Sequence, residues 1–143
     1  MAYEKVLLVD DEEEFIETLS ERMQTRGLSV DTATNGADAI KLVEKTFYDA
    51  IILDLQMPGL DGIETLKRIR EYNPDSQIIL LTGYASVEKS VEAVKHGAVD
   101  FLEKPADINK LMEIIREASN KKMMLLEKRA ENDIKKIMKS KGW

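Results

Sequence analysis

From its start to about residue 117 the chain alternates two hydrophobic rhythms: short apolar runs, and longer stretches in which apolar residues recur every three or four positions. The runs are Val6 to Val9, Ala50 to Leu53, Ile78 to Leu81 and Val99 to Leu102, each bounded by polar or glycine positions. Such runs read as strands covered on both faces, whereas Leu28 to Ala33 alternates more and reads as a strand nearer an edge. Between them, Phe15, Ile16, Leu19 and Met23 form a helical stripe, with Glu12, Glu13 and Glu14 in the first turn and Gly27 as a stop. Ala37, Ile40 and Val43 form a second stripe after Asn35-Gly36, and Ile63, Leu66, Ile69 and Tyr72 a third before Asn73-Pro74. Val87, Val91 and Val94 form a fourth that stops at Gly97.

Strict alternation of strand and helix implies a parallel sheet with right-handed crossovers and helices on both faces. Five such units in about 117 residues predict an α/β flavodoxin-like, doubly wound, five-stranded sheet in the order 2-1-3-4-5. The fifth helix starts near Asp107 and shows no clear stop. Ile108, Leu111, Ile115, Met123, Leu126, Ala130, Ile134 and Ile137 keep the beat, interrupted around 118 to 122, with no Gly or Pro before Gly142. A single helix of about 30 residues would be roughly 45 Å long, enough to outrun the domain. An overhang of that length should pack on something.

Composition divides the chain near Ser119. Residues 1–117 hold 13 Lys/Arg against 24 Asp/Glu, a balance of −11, and residues 118–143 hold 8 against 3, a balance of +5. The predicted organisation is therefore one domain over 1–117 and a basic helical extension over 118–143. An acidic body disfavours binding along a nucleic-acid backbone, so no direct DNA contact is expected, and the lysine-rich tail reads most simply as a solvated helix face. With no cysteine, neither a disulfide framework nor a thiolate metal site can form, and a reducing cytoplasm is the simplest home. No apolar run exceeds four residues, so no membrane span or targeting segment is predicted.

The chemistry is concentrated at the ends of the predicted strands. Asp10 and Asp11 follow the first, Asp54 the third, Thr82 ends the fourth and Lys104 follows the fifth. In a doubly wound sheet these ends share one edge, beside the switch point where ligands bind. Crowded carboxylates need a cation, because two of them about 5 Å apart repel by roughly 3 kcal/mol at an effective dielectric near 20. Mg²⁺ suits the set, since it takes one or two carboxylates and keeps positions for water and phosphate oxygens. An aspartate could then attack phosphorus in line and form an acyl phosphate, with Lys104 balancing the equatorial oxygens and the Thr82 hydroxyl donating one hydrogen bond. Taken singly, an Asp pair after a strand or a terminal Thr is commonly just a helix or strand cap. It is the combination that points to phosphoryl chemistry.

Four segments, Leu7-Leu8-Val9-Asp10-Asp11, Asp49 through Gly62, Ile79-Leu80-Leu81-Thr82-Gly83 and Gly97 through Pro105, closely resemble the receiver domain of two-component response regulators. The resemblance covers residues 4 to about 117. It implies that Asp54 is the phosphoacceptor, Asp11 a direct Mg²⁺ ligand, Asp10 a ligand through water, and the backbone carbonyl of Gln56 a further ligand. It also implies a cis Lys104–Pro105 bond and a switch in which the Thr82 hydroxyl moves toward the phosphoryl group and Phe101 rotates into the space. Phe101 stands where many relatives have Tyr, and simple core packing is its competing role. Gln56 and Tyr84 occupy positions that tune how water reaches the acyl phosphate, and bulky Tyr84 predicts slow autodephosphorylation. His96, the lone histidine, reads as a surface or capping residue.

The resemblance further implies a phosphoacceptor signalling domain rather than an enzyme, with only self-catalysed phosphorylation and dephosphorylation. Its partners would be a sensor histidine kinase or phosphotransfer protein upstream, and downstream a protein partner or a second copy met through the surface of helix 4, strand 5 and helix 5. A haloacid-dehalogenase-type phosphatase uses similar parts but places Asp-x-Asp after its first strand, which this chain does not. The start at Met1 favours a stand-alone receiver with a helical extension over the receiver fragment of a longer regulator.

Overall fold

The computed structural model describes residues 4–56, 62–83 and 87–140. Five strands, β1 (Lys5–Val9), β2 (Ser29–Ala33), β3 (Ala50–Leu53), β4 (Ile78–Thr82) and β5 (Asp100–Glu103), alternate with α1 (Glu13–Thr25), α2 (Gly36–Lys45), α3 (Gly62–Tyr72), α4 (Val87–Lys95) and α5 (Ile108–Ser140). All strand pairs are parallel and the order is β2-β1-β3-β4-β5, the predicted flavodoxin-like arrangement. Successive residues along each central strand feed opposite faces. Leu7, Val9, Ile51, Leu53, Ile78 and Leu80 pack with α2, α3 and α4 residues, and Val6, Leu8, Ile52, Ile79 and Leu81 pack with α1 and α5. Each fully buried Leu or Ile contributes about 1.5–3 kcal/mol, so these two layers hold the strand ends rigidly in register.

Local chemistry sets the element boundaries. The Asn35 side chain caps α2 by accepting from the Asp38 N–H at 2.8 Å. Gly27 and Gly97, with φ of 91° and 108°, take the left-handed turns that follow α1 and α4. Gly62 has a different reason: a Cβ there would lie 2.4 Å from Leu55 Cα, so only glycine lets α3 begin this close to the chain leaving β3.

Three expectations need correction. β5 is an edge strand with exposed or half-buried residues rather than a strand covered on both faces, and it begins at Asp100, not Val99. In α4 the residues turned to the core are Ser90 and Ala93, while Val91 and Val94 are exposed; small side chains allow this helix to sit close on the sheet. In α2, Ala39 rather than Ala37 is the buried alanine. The Val87 side chain lies outside the described residues.

The last helix runs 33 residues without a break, about 50 Å at 1.5 Å per residue. Leu111, Ile115, Ala118 and Lys122 recur at spacings of three or four and form its buried stripe, so the helix stays on the domain past residue 118. Lys122 Nζ donates to the carbonyl of Tyr48, and Arg129 pairs with the buried carboxylate of Asp75 at 2.8 Å. Tyr48 and Asp75 precede β3 and β4, which puts this anchorage at the N-terminal ends of the strands. Leu126, between the two anchors, and Ile134 and Ile137, beyond them, are exposed. Among the described residues no helix is long and apolar enough to cross a membrane.

Candidate functional site

At the C-terminal ends of the strands the backbone ladder carries the acidic residues to one another. The Asp10 N–H donates to the Ala33 carbonyl at 3.1 Å and the Asp54 N–H to the Val9 carbonyl at 3.0 Å, so each extends its strand's pairing by one step. Likewise the Lys104 N–H donates to the Thr82 carbonyl at 2.8 Å, which sets Lys104 beside the end of β4. The Lys104–Pro105 bond is cis.

These placements converge on the Lys104 ammonium. Its Nζ lies 2.6 Å from Asp10 Oδ2, 3.3 Å from Asp54 Oδ2 and 3.3 Å from Glu12 Oε1. The ring of Phe15 closes another side, with its centroid 4.5 Å from Nζ. Asp10 and Asp54 are buried and Glu12 is exposed. Their remaining oxygens are held by the chain itself: Asp10 Oδ1 accepts from the Glu12 N–H at 2.9 Å, and Asp54 Oδ1 from the Gln56 N–H at 3.0 Å.

One ammonium among three carboxylates leaves the cluster net negative. Burial penalises the charge of Asp10 and the neighbouring Asp54 adds to it, so its pKa stands above the ordinary carboxylate value although Lys104 and the Glu12 N–H pull it down. For Lys104, burial also works against the charge, yet Asp10 and Asp54 outweigh it and hold the pKa above the ordinary lysine value. A simple two-body ion pair would lower one pKa as it raised the other. Here both rise, because at Asp10 burial, helped by the Asp54 charge, outweighs Lys104, whereas at Lys104 the two carboxylates outweigh burial.

Carboxylate oxygens of Asp10, Glu12 and Asp54 all lie within 4.8 Å of one another, close enough to share a divalent cation. Two further atoms favour an occupant. Asp10 Oδ2 is near Lys104 without the alignment of a hydrogen bond, and the fully buried Thr82 Oγ1 has no hydrogen-bond partner among the described residues. A buried hydroxyl without a partner is costly, and one at this edge is suited to an incoming oxygen. The residues present therefore fit a hard cation and a phosphoryl group.

The structure brings together Asp10, Asp54 and Lys104 and puts Thr82 beside Lys104, as the sequence predicts. Asp11 is exposed and outside the acidic cluster, and the exposed Gln56 meets the site through its N–H to Asp54. Phe101 is half-buried against the α2–α4 face of the sheet, compatible with packing. Glu12 is the residue that sequence reasoning missed. Reading it as a first-turn acid overlooked that α1 starts at Glu13, leaving Glu12 at the N-cap, where its side chain makes no cap bond and reaches Lys104 instead. Residues 57–61 and Tyr84, which carry part of the family pattern and the expectation of slow dephosphorylation, lie outside the described residues.

Comparison with known proteins places the chain in a family. The response regulator receiver domain model matches residues 6–116. The chain is 39% identical over 113 residues to the transcriptional regulatory protein ZraR of Klebsiella oxytoca, covering 79% of this chain and 26% of that protein. It is 37% identical over 117 residues to the regulatory protein AtoC of Escherichia coli, covering 82% and 25%. Thus the chain spans about a quarter of the length of these curated relatives. Because they include a transcriptional regulator, the expectation of no direct DNA contact draws no support from them. Among solved structures, the CheY-like receiver domain protein of Methanospirillum hungatei superposes with a TM-score of 0.80 at 26% identity, covering 86% of this chain and 98% of that one. The receiver domain of Francisella response regulator 1452 gives 0.75 at 32%, covering 82% and 97%. Sequence, fold and strand-end chemistry thus agree: the chain belongs to the response regulator receiver domain family, a signalling domain of two-component systems rather than a classical enzyme.

Proposed function

We propose that Asp54 is the phosphoacceptor and that the chain phosphorylates itself on that carboxylate when presented with a phosphodonor and Mg²⁺. The observation that carries this reading is the sharing of Lys104 Nζ between Asp54 and Asp10 at the buried edge of the sheet. The Asp54 carboxylate forms the new bond to phosphorus as the donor's own bond to it breaks, releasing acetate from acetyl phosphate or the imidazole of a phosphohistidine, while Asp10, with Glu12 and Asp11 nearby in sequence, supplies negative charge for the cation. Mg²⁺, when bound, neutralises oxygens of the donor and of Asp54. Lys104 then faces the equatorial oxygens, and Thr82 Oγ1 donates the hydrogen bond that its burial leaves unmade. The Gln56 backbone carbonyl would serve as a further ligand.

In this reading the physiological donor is a sensor histidine kinase or a phosphotransfer protein. Output runs through Thr82 and Phe101 to the surface of α4, β5 and α5, where two packings of nearly equal energy are biased by the new phosphoryl contact. That surface meets a downstream protein or a second copy of the chain.

The test is the intact mass of the full chain after incubation with acetyl phosphate and Mg²⁺. The wild type should gain one phosphoryl group, about 80 Da, and Asp54→Asn should gain none. Equal gain by both proteins would remove Asp54 from the role.

A further inference from the structure

We infer that Phe15 is a positioning residue for Lys104, holding the ammonium at the site through its ring face when the carboxylates are taken by a cation. The inference rests on the phosphoacceptor reading above and adds to it a residue of α1 that carries no reactive group.

The argument begins with what holds Lys104. Three of its contacts are to Asp10, Glu12 and Asp54, and the fourth is the Phe15 ring at 4.5 Å. The three carboxylates are the same three whose oxygens lie within 4.8 Å of one another as a cation cluster. Metal loading and the lysine therefore compete for one set of oxygens, and a loaded cluster also repels the ammonium. Left to those contacts alone, Lys104 would swing toward water at the moment an incoming phosphoryl group needs it. Phe15 is different in kind. Its ring has no lone pair for a hard cation, and its negative face attracts an ammonium at this distance. The hold it provides survives metal loading.

Local structure makes the ring a fixed wall. Phe15 sits in the first turn of α1, half-buried against the layer formed by α1, α5 and the sheet, one residue before the buried Ile16. It lines a shallow hollow with Pro105 and Ala106, the two residues that follow Lys104, so the ring lies beside both the charge and the turn that presents it. A lysine stem has four rotatable bonds, and a wall beside its tip removes conformations in which the charge leaves.

The test uses the full chain as wild type, Phe15→Leu and Phe15→Tyr. Nuclear magnetic resonance of the Lys104 ε-methylene group should show a ring-current upfield shift that persists on adding Mg²⁺ in the wild type and in Phe15→Tyr, and is absent in Phe15→Leu. Labelling by acetyl phosphate at saturating Mg²⁺ should be about fivefold slower in Phe15→Leu, the scale of an accessible cation–π contact, and within about twofold of wild type in Phe15→Tyr. Mg²⁺ affinity should not weaken in either variant. Loss of the wild-type shift on adding Mg²⁺, or equal slowing in Leu and Tyr variants, would overturn the inference. A wild type that takes no label would instead overturn the phosphoacceptor reading, while the methylene shift still reports on Phe15. If Phe15→Leu fails to fold, a series of ring-fluorinated phenylalanines at position 15 decides: a rate independent of fluorination overturns the proposal.

Discussion

Two lysines are drawn out of water at opposite ends of the sheet, and their surroundings move them in opposite directions. At the C-terminal ends of the strands, Lys104 is half-buried among Asp10, Asp54 and Glu12, and the charges of Asp10 and Asp54 raise its pKa despite the loss of water. Near the N-terminal ends, Lys122 is buried against the Tyr48 carbonyl and the Phe47 ring, and burial lowers its pKa although Asp49 and Asp75 pull the other way. The difference lies in the partners. Lys104 faces full negative charges that a metal or phosphoryl group can take over, so its contacts are exchangeable. Lys122 meets a main-chain dipole that nothing else competes for, and with Arg129 it fastens α5 to the base of the sheet. In the proposed reading one end of the sheet reacts, and the other holds.

The comparison breaks most severely if the base is removed. A chain ending at Glu117 loses Lys122 and Arg129, leaving the buried Asp75 without its arginine and the Tyr48 carbonyl without a donor. Leaving the buried Tyr48 carbonyl without a donor costs about 1–3 kcal/mol and taking the exposed Arg129 from Asp75 up to about 1 more, together on the order of 3 kcal/mol, which lowers the Tm of a chain this size by roughly 10 °C. An unchanged Tm in a thermal melt would make the helix beyond residue 117 an accessory rather than part of the fold.

A smaller effect separates the two lysines by their response to metal. Lys104→Met leaves Asp10 and Asp54 uncompensated, so we expect a loss of about 2 kcal/mol without Mg²⁺ and recovery of most of it when Mg²⁺ is added. Lys122→Met should show no Mg²⁺ dependence beyond that of the wild type. Parallel melts with and without Mg²⁺ check this, and equal responses in the two variants would erase the distinction.

The smallest effect is in pH and has opposite signs at the two ends. The folded pKa of Lys104 is raised, so its stabilisation is present below the unfolded value near 10.4 and is lost as pH rises through the higher folded value. For Lys122 the folded pKa is lowered, so between that value and about 10.4 the unfolded chain binds more protons and stability rises with pH. On denaturant titration at increasing alkaline pH, the wild type should gain stability relative to Lys122→Met across that window. Relative to Lys104→Met it should hold level until the pH passes about 10.4 and lose stability beyond it. The same sign for both lysines would contradict their assigned environments.

What the sequence disclosed followed from where the chain changes direction. Asp10, Asp54, Thr82 and Lys104 were legible because each stands at the end of an apolar run, where parallel topology leaves little freedom in where the side chain goes. Glu12 was hidden among three consecutive glutamates, which composition alone cannot tell apart. The α4 stripe was not legible because its valines carry the apolar period, whereas the residues turned to the core are the small Ser90 and Ala93. The lysine-rich tail as a whole reads as a solvated face, and Lys122 is its buried exception. Its burial follows from the phase of α5, eleven positions on from Leu111, and only contact with the Tyr48 loop reveals it.

The most direct test of the account locates the phosphoryl group within the acidic cluster. Borohydride reduces an acyl phosphate to the alcohol, so reduction after labelling with acetyl phosphate and Mg²⁺, followed by peptide sequencing in a mass spectrometer, marks the residue that carried it. The account predicts homoserine at position 54 alone. Reduction product at position 10, 11 or 12 would contradict it, because the buried carboxylate shared with Lys104 at the end of β3 would then not be the nucleophile.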